Sequence, residues 1–191
     1  SLCLCCVFQS VFGVMSAGVV TGAWAGWLRF RALFLFCALW SLVVYYPMAH
    51  MVWGSGGFLA ELGAVDFAGG NVVHISSGVS GLVLAIVLGR RSGLEHTSYR
   101  VHNIPFVFLG AALLWFGWFG FNAGSALGAN GLAAHAFLTS ALASGAALLV
   151  WMILDIIKGV NPTPVGAPTG LVVGLVAIPP GAGFLPLWAA L

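Results

Sequence analysis

The chain has 191 residues, of which 61% are hydrophobic and only 5% are charged. A soluble domain of this length cannot cover its surface with so few charges, so the composition excludes a water-soluble protein and predicts an integral membrane protein in a lipid bilayer. The six basic and four acidic residues leave a net charge of +2, which gives no reason to expect a nucleic-acid partner.

Apolar stretches of membrane-spanning length define the architecture. A helix crosses the hydrocarbon layer with about 20 apolar residues. The sequence therefore predicts an all-α, polytopic helical membrane protein with about six transmembrane helices, at 2–25, 32–50, 66–89, 104–125, 131–157 and 164–182. The tail, 183–191, is expected to begin a seventh helix. Because Ser1 and Leu191 both lie in apolar runs and no initiator methionine is present, we expect an internal piece of a longer protein.

The basic residues orient this bundle. All of them fall in alternate connections between the predicted helices: Arg29 and Arg31, then Arg90, Arg91 and Arg100, then Lys158. Under the positive-inside rule these connections face the cytoplasm, so the chain starts outside and its third helix is entered from the outer face. The four cysteines lie in apolar runs without zinc-type spacing, so we expect no disulfide, metal or cofactor.

An ionisable residue lies deep in the third predicted helix. His74 follows Asp66 by eight residues, which is about 12 Å at the helical rise and near the middle of a layer about 30 Å thick. Small residues share its helical face, which indicates contact with other helices rather than lipid: Gly70, Ser77, Gly78, Gly81 and Ala85. An intramembrane histidine of this kind is a functional candidate, and a structural hydrogen bond to a neighbouring helix is the alternative. Asp66 is expected to cap the start of this helix.

Aromatic side chains cluster near helix ends that we expect to face outward. Phe8 and Phe12 lie one turn apart on the first helix, Phe121 and Ser125 lie one turn apart on the fourth, and Trp53 follows the second. Spacing alone favours packing or an interfacial belt. Aromatic faces with a hydroxyl acceptor would also suit a small cation that loses its water.

Three runs together resemble the signature motifs of the ammonium transporters, the Amt/Mep group and its Rhesus relatives. They are Asp66 to Arg91, the run from Pro47 to Gly54 (PMAHMVWG), and the run from Trp118 to Ala126 (WFGFNAGSA). They occur in the order found in the family, and the resemblance covers essentially the whole chain. It implies an eleven-helix fold with two inverted halves of five helices, assembled as a homotrimer in the cell membrane. Residues 1–191 would form a partial transporter domain, from the third to the eighth helix and the start of the ninth.

The resemblance also implies roles for individual residues. Trp53, Phe12 and Ser125 would form an outer ammonium-binding site, and Phe12 and Phe121 would stack beneath it as the pore gate. His74 would be the first of two paired pore histidines, the second being on a later helix that this chain lacks. Asp66 would be a structural aspartate near the mouth.

The implied activity is transport of ammonium or ammonia, with methylammonium as an analogue, and not enzymatic catalysis. The cation would be recruited at the aromatic site, deprotonated, and passed as ammonia along a hydrophobic pore containing histidine. Two short stretches depart from the family pattern. Ala25-Gly26-Trp27 replaces Ala-Glu-Arg, and Pro179-Pro180 replaces Thr-Pro, so we expect a changed loop contact and changed local geometry near the end of the sixth helix.

Two alternatives remain open from the residues. The first is an ammonium sensor built on the same scaffold. The second is a membrane redox subunit whose haem or quinone would be held by His74 and His135. The predicted depths of these two histidines differ by about 6 Å at the helical rise, which argues against a shared haem.

Overall fold

The computed structural model describes residues 2–90 and 101–191, and every regular element in these ranges is helical. The elements fall in two compact units, 1–99 and 100–191, and each is described by itself. In the first unit the elements are α1 (Leu2–Thr21), α2 (Phe30–Trp40), a π-helical turn (Ser41–Tyr45), α3 (Tyr46–Trp53), α4 (Phe58–Glu61), a second π-helical turn (Gly70–Ile75) and α5 (Ser76–Leu88). In the second they are α6 (Ile104–Gly124), α7 (Gly131–Ile157), α8 (Gly166–Ala177) and a 3-10 turn (Leu187–Ala190).

The predicted class, an all-α polytopic membrane protein, is confirmed. Within the described ranges, five helical segments are long and apolar enough to cross a membrane: Leu2–Thr21, Phe30–Glu61, Gly70–Leu88, Ile104–Gly124 and Gly131–Ile157. The sixth, α8, has 12 residues, so it is about 18 Å long at the helical rise and shorter than a layer of about 30 Å.

Several predicted helix ends need correction. The third segment begins at Gly70 rather than Asp66, because Gly69 has φ 94° and a left-handed residue cannot continue a right-handed helix. The first helix ends at Thr21 and is followed by turns that use Gly26 at φ 84°. In the tail that was predicted to begin a seventh helix, the regular element is a 3-10 turn of four residues, and the helix itself stays a prediction.

The sixth predicted helix also ends early. It was expected to reach residue 182, but α8 stops at Ala177. Pro179 and Pro180 follow, and proline has no N–H to donate to the preceding turn and restricts the residue before it. Ile178 therefore makes the last helical bond, from its N–H to the Gly174 carbonyl oxygen at 3.3 Å.

In the first unit, α1 packs against α5 and against both π-helical turns. The indole Nε1 of Trp40 donates to the Ser80 hydroxyl at 2.8 Å and thereby joins α2 to α5. Tyr45, at the end of the first π turn, is buried and lies against Gly13 of α1, where an added Cβ would be 3.2 Å from the ring atom Cε1. This contact lets α1 approach the second helical segment closely.

In the second unit, small residues allow α7 and α8 to pack almost backbone to backbone. A Cβ at Gly174 would lie 2.3 Å from the Ala143 carbonyl oxygen, and one at Gly170 would lie 2.6 Å from Trp151 Cβ. Such spacing by small residues is typical of packed membrane helices. Between α6 and α7, the buried amide of Asn122 donates to the Ser140 hydroxyl at 2.7 Å.

Candidate functional site

Asp66 organises the chain just before the second π turn. Its Oδ1 accepts hydrogen bonds from the N–H groups of Gly69 and Gly70 at 2.8 and 2.7 Å, and its Oδ2 accepts from Asn71 and Val72 at 2.8 and 3.2 Å. These are the N–H groups that a helix leaves without carbonyl partners at its start. The capping expected of Asp66 is therefore present, and it acts on a π turn rather than on a regular α-helix.

His74 lies inside this π turn. The Gly69 carbonyl oxygen accepts from both the Val73 N–H at 2.8 Å and the His74 N–H at 3.2 Å, so one turn is wound more widely than in an α-helix. The hydroxyl of Ser77, on the next helical turn, shares its hydrogen between the carbonyl oxygens of Val73 and His74 and so stabilises the π turn. The side chain of His74 is only 7% exposed.

The predicted position of His74 along its helix changes as a result. Counted from Gly70, His74 is four residues into the helix, which is about 6 Å from its start at an α-helical rise instead of about 12 Å. Its burial agrees with the predicted inward face. Of the small residues predicted to share this face, Gly70, Ser77 and Gly81 are buried, whereas Gly78 is exposed.

Trp53 and Phe12 form an aromatic pair in the same unit. Their rings are 5.7 Å apart and nearly perpendicular, at 83°. Phe12 is 2% exposed and also meets Phe8 edge to face at 4.9 Å. The Trp53 indole Nε1 donates to the main-chain carbonyl oxygen of Asp66 at 2.8 Å, which fixes the orientation of the ring. Asp66 thus holds Trp53 through its backbone and the His74 turn through its side chain.

Phe121 and Ser125 belong to the second unit. Phe121 is buried, and its ring lies 5.6 Å from that of Trp118. The Ser125 hydroxyl donates to the Phe121 carbonyl oxygen at 2.9 Å, which uses its hydrogen and leaves the oxygen as an acceptor. An acceptor oxygen beside an aromatic ring is suited to an N–H donor.

The predicted site residues are thus gathered in two groups. The first unit holds Trp53, Phe12, Asp66 and His74 on elements that contact one another. The second unit holds Phe121 and Ser125 on the last turn of α6 and its C-cap. The pairing of Phe12 with Phe121 and the joining of Ser125 to Trp53 stay predictions.

Sequence reasoning missed Gly69 and Tyr45. A signal for Gly69 was available, because an aspartate followed after two residues by a glycine pair is typical of a capped turn that needs positive φ. Tyr45 comes two residues before Pro47, and a proline within a membrane helix commonly accompanies a local π distortion. Neither pattern states which aromatic ring the distortion would contact.

The depth argument against a shared haem needs correction. His135 is four residues into α7, which begins at Gly131, and His74 is four residues into its own segment. The predicted difference of about 6 Å counted the His74 helix from Asp66, and the observed start at Gly70 removes the basis of that count. The Nε2 atom of His135 is hydrogen-bonded to the Leu185 carbonyl oxygen at 2.8 Å, so this nitrogen is already used by the protein. No group of three or more metal-ligating side chains occurs in the described ranges.

Comparison with known proteins gives a consistent result. The model of the Ammonium Transporter Family matches residues 2–191. An ammonium transporter of Bacillus subtilis strain 168 is 51% identical over 185 residues, which are 97% of this chain and 45% of that protein. The chain spans less than half the length of the curated relatives that it matches.

Solved structures agree with the sequence relatives. Saccharomyces cerevisiae Mep2 is 38% identical with a TM-score of 0.88, and the match covers 95% of this chain and 41% of Mep2. A structure described as a sensor Amt protein is 32% identical with a TM-score of 0.87, and the match covers 95% of this chain and 48% of that one. The chain belongs to the ammonium transporter family.

Proposed function

We propose that this chain forms part of a pathway that carries ammonium across the cell membrane as ammonia, within a multi-pass homotrimer. One observation supports this most directly. Asp66 orients Trp53 through its carbonyl oxygen and caps the π turn of His74 through its carboxylate. A ring that can bind a cation and an imidazole that can handle a proton are therefore held by one residue.

The proposed mechanism follows from the cost of burying charge. An ion in the hydrocarbon region costs several kcal/mol or more, whereas neutral ammonia carries no such penalty. At the proposed outer site, the faces of Trp53 and Phe12 attract the cation, and the Ser125 oxygen accepts one of its N–H bonds. Each cation–π contact contributes about 0.5–2 kcal/mol, depending on how dry the site is.

Phe12 and Phe121 are proposed to gate the passage below this site. Phe12 and Phe121 are both buried in their units, so their rings would exclude water from the step in which the proton is lost. His74, alone or with a second pore histidine supplied by a later helix, would then hydrogen-bond the ammonia or relay the proton.

Methylammonium uptake tests the proposal. The full-length protein would be expressed in cells without ammonium uptake of their own, as wild type and as His74→Ala. We expect uptake by the wild type and loss of most of it in the variant. His102→Ala is the matched control because His102 is an exposed histidine. Equal uptake by wild type and His74→Ala, with equal amounts of folded protein, would contradict the role of His74.

A sensor on the same scaffold is the second candidate, and the similarity to the sensor Amt structure favours it. Both functions need the cation to bind at the outer site, but only transport moves label across the membrane. Purified protein in vesicles separates them. Saturable ammonium binding without flux would favour the sensor, and flux that saturates over the same concentration range would favour transport.

A further inference from the structure

Gly69 lies where the aromatic pair meets the His74 turn. A Cβ at this position would be 3.4 Å from Phe12 Cε1, 3.4 Å from Trp53 Cη2 and 2.9 Å from Val73 Cγ2. The backbone of Gly69 is left-handed, at φ 94°. Glycine is therefore required for the backbone conformation and for the space beside Val73, and an added Cβ would also touch both aromatic rings at van der Waals distance.

The backbone N–H and carbonyl groups of Gly69 connect the Asp66 cap to the π turn that carries His74. Its N–H donates to Asp66 Oδ1 at 2.8 Å, and its carbonyl oxygen accepts the N–H groups of Val73 and His74 at 2.8 and 3.2 Å. The residue is consequently bonded to the cap on one side and to the His74 backbone on the other. A Cβ added to Gly69 would lie 3.4 Å from an atom of each aromatic ring.

We infer that Gly69 is a positioning residue that couples the aromatic pair to His74, so that cation recruitment and proton handling share one backbone turn. This inference rests on the proposed transport function. A side chain at residue 69 has to displace Val73, which is fully buried and stiff about χ1, or press on Phe12 and Trp53. Moving Val73 shifts the turn that carries His74, and moving the turn away from Val73 shifts the aromatic pair. In both cases the relation between the aromatic pair and His74 changes.

Left-handed glycines elsewhere in this unit provide a matched control. Gly63 has φ 81°, and a Cβ added there would meet nothing within 4 Å. Gly63→Ala therefore carries the backbone strain of Gly69→Ala without its contacts. We expect uptake by Gly63→Ala within about twofold of the wild type, since a strained exposed turn leaves the aromatic pair in place. For Gly69→Ala we expect KM for methylammonium to rise about fivefold or more, as cation–π contacts weaken, together with a fall in maximal rate.

Separate measurement of KM and of the maximal rate shows whether Gly69 couples the aromatic pair to His74. Trp53→Leu should act mainly on KM and His74→Ala mainly on the maximal rate, whereas Gly69→Ala should change both. Gly69→Asn separates strain from contact, because asparagine tolerates left-handed φ but adds a Cβ. We expect it to be as defective as Gly69→Ala. Wild-type kinetics in Gly69→Asn would assign the defect to strain alone and overturn the inference.

A double variant serves as the control for misfolding of Gly69→Ala. If Gly69→Ala does not accumulate, Val73→Ala removes the 2.9 Å contact, and Gly69→Ala/Val73→Ala is compared with Val73→Ala alone. A higher KM together with a lower maximal rate in the double variant than in Val73→Ala supports the coupling, and a change in only one of the two, or in neither, refutes it. Absence of uptake in both the wild type and Gly63→Ala would instead contradict the transport function.

Discussion

The carboxylate of Asp66 offers the sharpest test of how the site is held together. We consider Asp66→Ala and Asp66→Asn in the full-length protein. In the native structure the carboxylate accepts four backbone N–H bonds, two at each oxygen. The residue is 9% exposed, so water can replace few of these bonds.

The number of lost bonds sets the expected destabilisation. A hydrogen bond contributes about 1 kcal/mol net, so Asp66→Ala should lower the free energy of unfolding by about 4 kcal/mol. Asparagine keeps one acceptor oxygen. If this oxygen takes the place of Oδ1, the bonds to Gly69 and Gly70 survive, while the amide NH₂ faces two further N–H donors. Asp66→Asn should therefore cost about 2 kcal/mol or slightly more.

Thermal unfolding in detergent, followed by the fraction that stays monodisperse, measures these differences. The expected order of stability is wild type, then Asn, then Ala, and uptake should fall in the same order because the cap positions His74. Glu61→Gln is the control, since Glu61 is an exposed carboxylate on α4. If Asp66→Asn and Asp66→Ala were both as stable as Glu61→Gln, the four bonds to the carboxylate would contribute no stability and the capping argument would be refuted.

Three further substitutions test the packing around the site. Gly13→Ala places a Cβ 3.2 Å from the buried ring of Tyr45 and should cost about 1 kcal/mol, measured as a lower midpoint of thermal unfolding. Gly174→Ala places a Cβ 2.3 Å from a carbonyl oxygen of α7, so α8 has to move away, at about 1–3 kcal/mol by the same measurement. Ser140→Ala removes the 2.7 Å acceptor of the buried Asn122 amide and should cost about 1 kcal/mol.

Each substitution has a control of the same type. For Gly13→Ala and Gly174→Ala these are Gly18→Ala and Gly145→Ala, where an added Cβ meets nothing within 4 Å. For Ser140→Ala it is Ser10→Ala, whose exposed hydroxyl bonds only to its own helix. Unfolding midpoints that do not differ between a variant and its control would show that the contact in question contributes no stability.

Long uninterrupted helices were predictable from the sequence. The fifth predicted helix, 131–157, matches α7 residue for residue. The reason is local, because Asn130 caps its start by accepting the Ala133 N–H at 3.0 Å and an apolar run follows without proline. The fourth, 104–125, is likewise capped at its start, by Asn103. Where a cap and an apolar run agree, the pattern determines the helix.

Predictions were less accurate where backbone geometry departs from the α-helix. Hydropathy treats 66–69 as helix because it does not register the positive φ at Gly69. It likewise extends α8 past Pro179, where the loss of an N–H ends the helix. The aromatic contacts were not predictable in detail, since spacing places Phe12 on the first predicted helix and Trp53 just after the second without giving the distance between their rings.

The corrected start of the third segment changes how His74 should be understood. Its position was first argued from depth in the bilayer, which requires an unbroken helix from Asp66. The chain instead turns at Gly69, and the Asp66 carboxylate accepts the N–H groups of the four residues from Gly69 to Val72. The backbone of His74 is therefore positioned by its bond to the Gly69 carbonyl oxygen, and Gly69 is itself bonded to the Asp66 carboxylate. A substitution in that cap should affect His74 more than a change of helix length at the other end of α5, because the connection through the cap is shorter and polar.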